Sequence, residues 1–426
     1  MRRATVVGVL AIVLSTPAAA QQVEVTLNEA IQRSLQAQPA MVSARGAVRD
    51  AGAARRVAYG AFVPSLSVSS DALRNSTARR DPNTDVVYPP GYSYSVGLTA
   101  SLTQFNPFRR LADRSATSAS VQAAEAAAVN QRFATTLDTK TAFYAAIANE
   151  ELVRVAESQV RRAQQQLQIS VEKLRAGSAT RSDSLRSRVD YGNARIALLE
   201  AQANLATAQA NLGRQIGLEQ PVRAVPDTIL PPLPDTAALR ATALETAPLV
   251  EQAASRARAA GAQVISARSQ YLPSLTVSYS NNQNSLEAPW HGLGNYNETF
   301  SWRFGLSWPL FNGFQREQAQ VNASTARDLA QANAADARRQ INAQLTQQLA
   351  ALATTYEQIT IAQDNLAAAT EDVRVQNERY RVGAATILDL LTSQASLTQA
   401  QVNVVQTRFN YLIARAQVEA VTGRTL

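Results

Sequence analysis

Residues 175–183 read R-A-G-S-A-T-R-S-D, and residues 381–389 read R-V-G-A-A-T-I-L-D. Both fit R-x-G-x-x-T-x-x-D, from Arg175 to Asp183 and from Arg381 to Asp389, and each matched residue lies 206 positions from its counterpart. Gly177 and Gly383 suit the end of a helix, where a left-handed residue is wanted. Thr180 and Thr386, each three residues before an Asp, suit the N-cap of a following helix, with Asp183 and Asp389 in its first turn. The spacing therefore predicts two tight helix-to-helix turns. Taken alone, neither motif requires more than that.

The flanking segments are long. From residue 108 to residue 176 there is no Pro or Gly, while Phe133, Leu137, Tyr144, Ile147, Val155, Leu167 and Leu174 recur at sums of three and four. A helix of ~69 residues at ~1.5 Å each is on the order of 100 Å long. Such a helix implies coiled-coil packing rather than an ordinary globular core. After the first turn, Leu185, Val189, Ile196, Leu199, Leu205, Leu212 and Ile216 mark a second helix over 182–216. The second copy is flanked in the same way, by helices expected over 315–379 and 387–421.

Upstream of each hairpin the period changes from helical to two. In 65–69, Leu66 and Val68 alternate with serines. In 94–103, Tyr94, Val96, Leu98, Ala100 and Leu102 alternate with Ser, Gly and Thr. Leu275, Val277 and Tyr279 alternate in 274–280, and Phe300, Trp302, Phe304, Leu306 and Trp308 do so from 300 to 309. This is the signature of strands with two unlike faces. Polar loops are expected at 71–91 and at 281–298, the second containing His291.

The two halves match beyond the turns. Pro39, Gly52 and Pro64 lie 209 positions before Pro248, Gly261 and Pro273, and Phe105-Asn106 lies 206 before Phe311-Asn312. The period is too long for a solenoid and indicates a tandem duplication. The expected organisation is a signal peptide at 1–20 and a first repeat over 21–220, with strands near 62–70 and 93–105 and a hairpin at 108–216. A linker at 217–235 leads into a second repeat over 221–426, with strands near 272–280 and 299–310 and a hairpin at 313–421.

Composition removes several classes of function. There is no Cys, hence no disulfide, thiolate metal site or lipidated N-terminal Cys, and the single His291 leaves little for His-based catalysis. Neither a metal site nor another cofactor is expected, and the chain does not look like an enzyme. The net charge of +8 falls to +6 without Arg2 and Arg3, and no basic cluster interleaves with aromatics, so nucleic-acid binding is unsupported. Those two arginines, the apolar run 6–14 and Ala18-Ala19-Ala20 form a secretory signal. No later run of roughly 18 apolar residues offers a membrane helix.

The strands have another route into a membrane. A soluble sandwich would show the same alternation. Here, however, the apolar side carries Trp302, Trp308, Phe300, Phe304, Tyr94 and Tyr279, as a lipid face flanked by aromatics does. The clearest strands are ~10 residues, long enough to cross an outer membrane when tilted. Lipid tolerates no open sheet edge. Four strands cannot close, because the smallest barrels have about eight. The barrel must therefore be shared, three chains giving twelve strands and two giving eight.

At this point the sequence resembles the outer-membrane efflux protein family, the TolC-like channels. The resemblance rests on both R-x-G-x-x-T-x-x-D turns, P-L-F-N-G-F at 309–314, L-P-S-L at 272–275, V-P-S-L at 63–66, and the duplication. It covers nearly all of the chain after the signal. It implies a mainly α homotrimer with a long antiparallel α-helical barrel in the periplasm and a 12-stranded transmembrane β-barrel in the cell outer membrane, in contact with outer-membrane lipid. It further implies a passive exit duct of a tripartite efflux or type I secretion system. The partners would be a periplasmic adapter (membrane fusion) protein and an inner-membrane RND, ABC or MFS transporter.

By the same resemblance the two turns form the periplasmic tip, with Arg175, Gly177, Thr180, Arg381, Gly383 and Thr386 in the turns that meet the adapter. The tip tyrosine falls on Tyr380 and the pore aspartate on Asp389. The latching aspartate falls on Asp183, with Ser182 in place of a preceding Thr. Two positions depart: the latch arginine falls on Ala385, and a second pore aspartate on Thr392. Helix capping is the plain structural role for Asp183 and Asp389, compatible with a gate role. The competing reading is a structural or adhesive coiled-coil protein of the envelope without a pore, which explains the helices but not the strands.

Overall fold

A computed structural model describes residues 23–80, 87–226, 230–286 and 297–426. The signal expected at 1–20 and His291 lie outside the described residues. The chain forms two compact units.

The first unit comprises Met1–Gln38, Thr135–Leu233 and Leu352–Ala416. It contains β1 (Val23–Val25), α1 (Leu27–Ala37), the later part of α3 (Pro107–Arg175), α4 (Arg181–Gln215) and β6 (Val222–Ala224). It also holds the later part of α7 (Gln315–Arg381) and most of α8 (Ile387–Thr422). Its core gathers Val25, Ala30, Phe143, Ile147, Leu212, Val222 and Phe409, so one apolar cluster ties α1, α3, α4 and α8 together. Strands β1 and β6 pair in parallel, Val23 opposite Val222. Sequence periodicity places only a Pro-rich linker at 217–235. The strand β6 within it is a correction, since three residues carry too few alternations to show a period. Arg223 on this strand donates to Glu24 at 2.9 Å and to Glu150 of α3 at 2.8 Å. That pairing holds the Glu150 carboxyl below its ordinary range.

The second unit comprises Pro39–Ala134, Pro234–Ala351 and Gln417–Leu426. Helices α2 (Pro39–Gly60), α5 (Thr236–Thr246) and α6 (Pro248–Arg268) belong to it, with the earlier parts of α3 and α7. Along α3, Ala112, Ala116, Ala119, Ala123 and Ala126 are buried at alternating spacings of four and three. A seam of Ala lets helices approach closely, which is how an Ala-rich chain poor in aromatics still packs. Asn106 caps this helix, its Oδ1 accepting from Arg109 N at 3.1 Å, while its Nδ2 donates to Ser269 O at 2.9 Å. Pro107 occupies the first helical position, where its missing N–H costs nothing.

The strands of this unit are β2 (Ser65–Asn75), β5 (Gly91–Phe105), β7 (Ser274–Ser285) and β8 (Asn297–Ser307), with the short hairpin β3 (Arg79–Arg80) and β4 (Val87–Tyr88) between β2 and β5. The four long strands form one antiparallel sheet in the order β2-β5-β7-β8. The register sorts the side chains. Leu66, Ala100, Tyr279 and Trp302 lie in one row, and Leu102, Val277 and Phe304 in the next on the same face. On the opposite face lie Ser65, Ser101, Ser278 and Arg303, then Ser67, Thr99, Ser280 and Ser301.

Several boundaries differ from the periodicity. Strands β2 and β7 run on to Asn75 and Ser285, past the expected ends near 70 and 280, because backbone pairing continues under polar side chains. Strand β8 stops at Ser307 rather than near 310, where Pro309 lacks a ladder donor. Trp308 therefore lies beyond the strand, its indole Nε1 donating to Tyr271 O at 3.0 Å. A register shift between Leu102 and Phe105 accompanies Gln104 at φ 47°, a β-bulge at the foot of the sheet.

Candidate functional site: the two interhelical turns

The first unit carries both motifs, and both close by the same device. At the end of α3, Ser178 N donates to Lys173 O at 2.9 Å and Gly177 N to Leu174 O at 3.1 Å, with Gly177 at φ 75°. At the end of α7, Ala384 N donates to Arg379 O at 2.8 Å and Gly383 N to Tyr380 O at 3.3 Å, with Gly383 at φ 82°. Each is a Schellman cap, which needs a left-handed residue and so a glycine.

The N-cap of the next helix follows three residues after each glycine. Asp183 N donates to Thr180 Oγ1 at 3.2 Å and Thr180 N to Asp183 Oδ2 at 3.0 Å, a reciprocal capping box. The second copy has the same pair: Asp389 N to Thr386 Oγ1 at 3.3 Å, and Thr386 N to Asp389 Oδ2 at 2.9 Å. There the Thr386 hydroxyl also donates to Asp389 Oδ2 at 2.8 Å. These bonds from the Thr386 backbone and side chain hold the exposed Asp389 carboxyl below its ordinary range, so it is a standing negative charge at neutral pH.

Not every motif residue joins the network. Arg175 ends α3 exposed to solvent. Arg381 pairs with Glu378 of its own helix at 3.1 Å. Ala385 is half-buried and offers no side-chain donor.

Tyr380 is the buried member of the site, 7% exposed and packed with Ile387, Leu390 and Leu391. The residue that sequence reasoning missed is Lys173. Its Nζ donates to Tyr380 O at 2.6 Å and sits 4.1 Å from the centroid of the Tyr380 ring. One ammonium thus ties the C-terminal end of α3 to that of α7, where the helix dipole also favours a cation. Lys173 is one of only two lysines in an arginine-rich chain and lies two residues before the motif, a signal available in the sequence. A few turns away, Arg162 Nη2 reaches Thr398 Oγ1 at 3.0 Å, and Ser170 and Ser187 share a hydrogen bond at 2.9 Å. The Tyr380 hydroxyl is buried and meets no partner among the described residues.

The described chain thus combines an open antiparallel sheet, apolar and exposed on one face, with very long helical hairpins closed by tight, charged turns. That is the architecture of an outer-membrane channel subunit. The model of the outer membrane efflux protein family matches residues 30–218 and 239–424, and the chain belongs to that family. The chain is therefore an outer-membrane protein with a large periplasmic helical part.

A comparison with curated proteins gives no match. Solved structures share the fold at low identity. CusC is 17% identical with a TM-score of 0.79, covering 93% of this chain and 92% of its own. VceC from Vibrio cholerae is 18% identical with a TM-score of 0.77, covering 94% and 96%. The CmeC outer membrane channel of Campylobacter jejuni is 18% identical with a TM-score of 0.78, covering 93% and 85%.

Proposed function

We propose that the protein is the passive exit duct of a tripartite efflux or type I secretion system, working as a homotrimer. The observation that carries this reading is the sheet. Its edge strands β2 and β8 have no outer partner among the described residues, and the apolar side chains are left in the open. Leu66, Val68, Phe300, Trp302, Phe304 and Leu306 are each at least 60% exposed. A lone four-stranded sheet with an uncovered apolar face is unstable in water, and in lipid its edges must be closed. Three copies close it into twelve strands, apolar rows toward lipid and Ser/Thr rows toward the lumen.

The helices support the same assembly. On α4, Leu185, Val189, Ile196 and Leu199 are all more than 50% exposed and follow coiled-coil spacing. A neighbouring subunit is the natural cover for that stripe. The halves are a tandem duplication, each carrying two short helices, two long strands and a long hairpin, behind a signal peptide at 1–20. The two turns form the periplasmic tip. There Asp389 lines the pore, and Asp183 and Tyr380 belong to the gate. Residues Arg175, Gly177, Thr180, Arg381, Gly383 and Thr386 meet a periplasmic adapter protein, which is coupled to an inner-membrane transporter. The likeness to CusC, which forms a transmembrane channel, and to CmeC, an outer membrane channel, supports a pore.

Reconstitution into planar bilayers tests the reading. Discrete, voltage-stable single-channel conductances are expected from the full assembly. Protein that associates with the bilayer and passes no current would instead be an envelope coiled-coil protein.

A further inference from the structure

The polar face of the sheet is almost free of charge. Strand β5 gives it only Gly, Ser and Thr, and β7 only Ser, Thr and Asn. Two charged residues remain on that face, Asp71 of β2 and Arg303 of β8. Arg303 stands opposite Ser278, in the row that includes Ser65 and Ser101, and is exposed. It makes no ion pair or side-chain hydrogen bond among the described residues. Asp71 stands three same-face rows away, opposite Ser95 and in the row of Asn284 and Asn297. Within one chain, six residues of strand cover ~20 Å, about two Debye lengths at 0.1 M salt, so Asp71 does not neutralise Arg303 of its own chain.

We propose that Arg303 makes the barrel lumen a site for polyvalent anions at its own level, apart from the carboxylates of the tip. The inference rests on the trimeric barrel reading above, which turns one arginine into a ring of three. Twelve strands ~4.8 Å apart and tilted ~45° close at a backbone radius of about 13 Å. An arginine extending inward from that wall carries its guanidinium to roughly 6–7 Å from the axis, so the whole cross-section at that level lies within one Debye length of positive charge. The surrounding wall supplies hydroxyls and amides, which solvate an anion without adding charge. A guanidinium also offers five donors in a planar fork, suited to phosphate and carboxylate oxygens. The ligand class is therefore a compact anion with several phosphate or carboxylate groups.

The test is block of single channels by tripolyphosphate, added to each side in turn at 0.1 M KCl. Wild type is expected to be blocked from one side, with the block lost in 1 M KCl as screening shortens to about 3 Å. Arg303→Gln is expected to weaken the block at least tenfold while trimers still form. Ser278→Asp leaves Arg303 in place, sets a carboxylate opposite it, and is expected to weaken the block similarly. Arg303→Lys is expected to retain most of it. Equal block in wild type and Arg303→Gln overturns the inference and leaves the duct reading intact. Wild-type protein that forms no channels overturns the barrel reading, and the inference with it.

Discussion

Replacing Lys173 by Met removes the ammonium that joins the two turns and keeps the apolar stem. Two interactions are lost: the bond to Tyr380 O at 2.6 Å and the contact 4.1 Å from the ring centroid. A hydrogen bond from a charged group is worth about 1.5–3 kcal/mol, and an exposed cation–π contact about 0.5–1 kcal/mol. Release of the lysine returns up to ~2 kcal/mol of rotamer entropy. The net is about 1–2 kcal/mol per chain, a 5- to 30-fold shift between joined and parted turns. The assay is open probability in planar bilayers at low voltage, with trimer content checked beforehand. Lys173→Met is expected to leak several-fold more than wild type. Tyr380→Phe is the control. It keeps the carbonyl and the ring and removes a buried hydroxyl without a partner, so it is expected to leave the leak unchanged. If Lys173→Met is no leakier than wild type, or Tyr380→Phe is equally leaky, Lys173 does not hold the turns together.

Three further outcomes are expected. Asp389→Asn should lower cation selectivity, read as reversal potential across a salt gradient, while trimers survive; an unchanged potential would leave Asp389 a helix cap alone. Phe304→Arg, on the apolar face, should cost about 2–4 kcal/mol per chain near the bilayer midplane and impair assembly; Ser101→Arg, on the Ser/Thr face, should assemble and alter conductance. Arg223→Ala removes the partner that holds the Glu150 carboxyl low. A depressed carboxylate contributes stability above its unfolded value near 4.3 that is lost as pH falls. The variant should therefore be less stable at neutral pH and lose less on acidification, as read by thermal unfolding from pH 7 to 3.

Much of this architecture is legible in the residues, and the limits have physical causes. The long strands show themselves because each second residue is large and apolar while its neighbours are Ser, Thr or Gly. The signal fails where both faces turn polar, so the continuation of β7 through Asn281, Asn282 and Asn284 is visible only as pairing with β5 and β8. The turns are legible because a left-handed glycine and a Thr/Asp capping pair are nearly obligatory there, and both copies adopt the same caps. Lys173 and Tyr380 are 207 residues apart, and no local pattern announces their contact. The pairing of β1 with β6 is equally non-local. The row that isolates Arg303 depends on register, which alternation within one strand does not specify.

The central claim is that one chain supplies a third of a closed barrel. Light scattering on the purified protein in detergent, corrected for bound detergent, measures it directly. The account predicts a particle of about three times the mass of one chain, which is 45.8 kDa before loss of any leader, with its β-structure intact by circular dichroism. A monodisperse monomer that keeps its β-structure would contradict it, because four strands with open edges and an uncovered apolar face have no stable place in lipid.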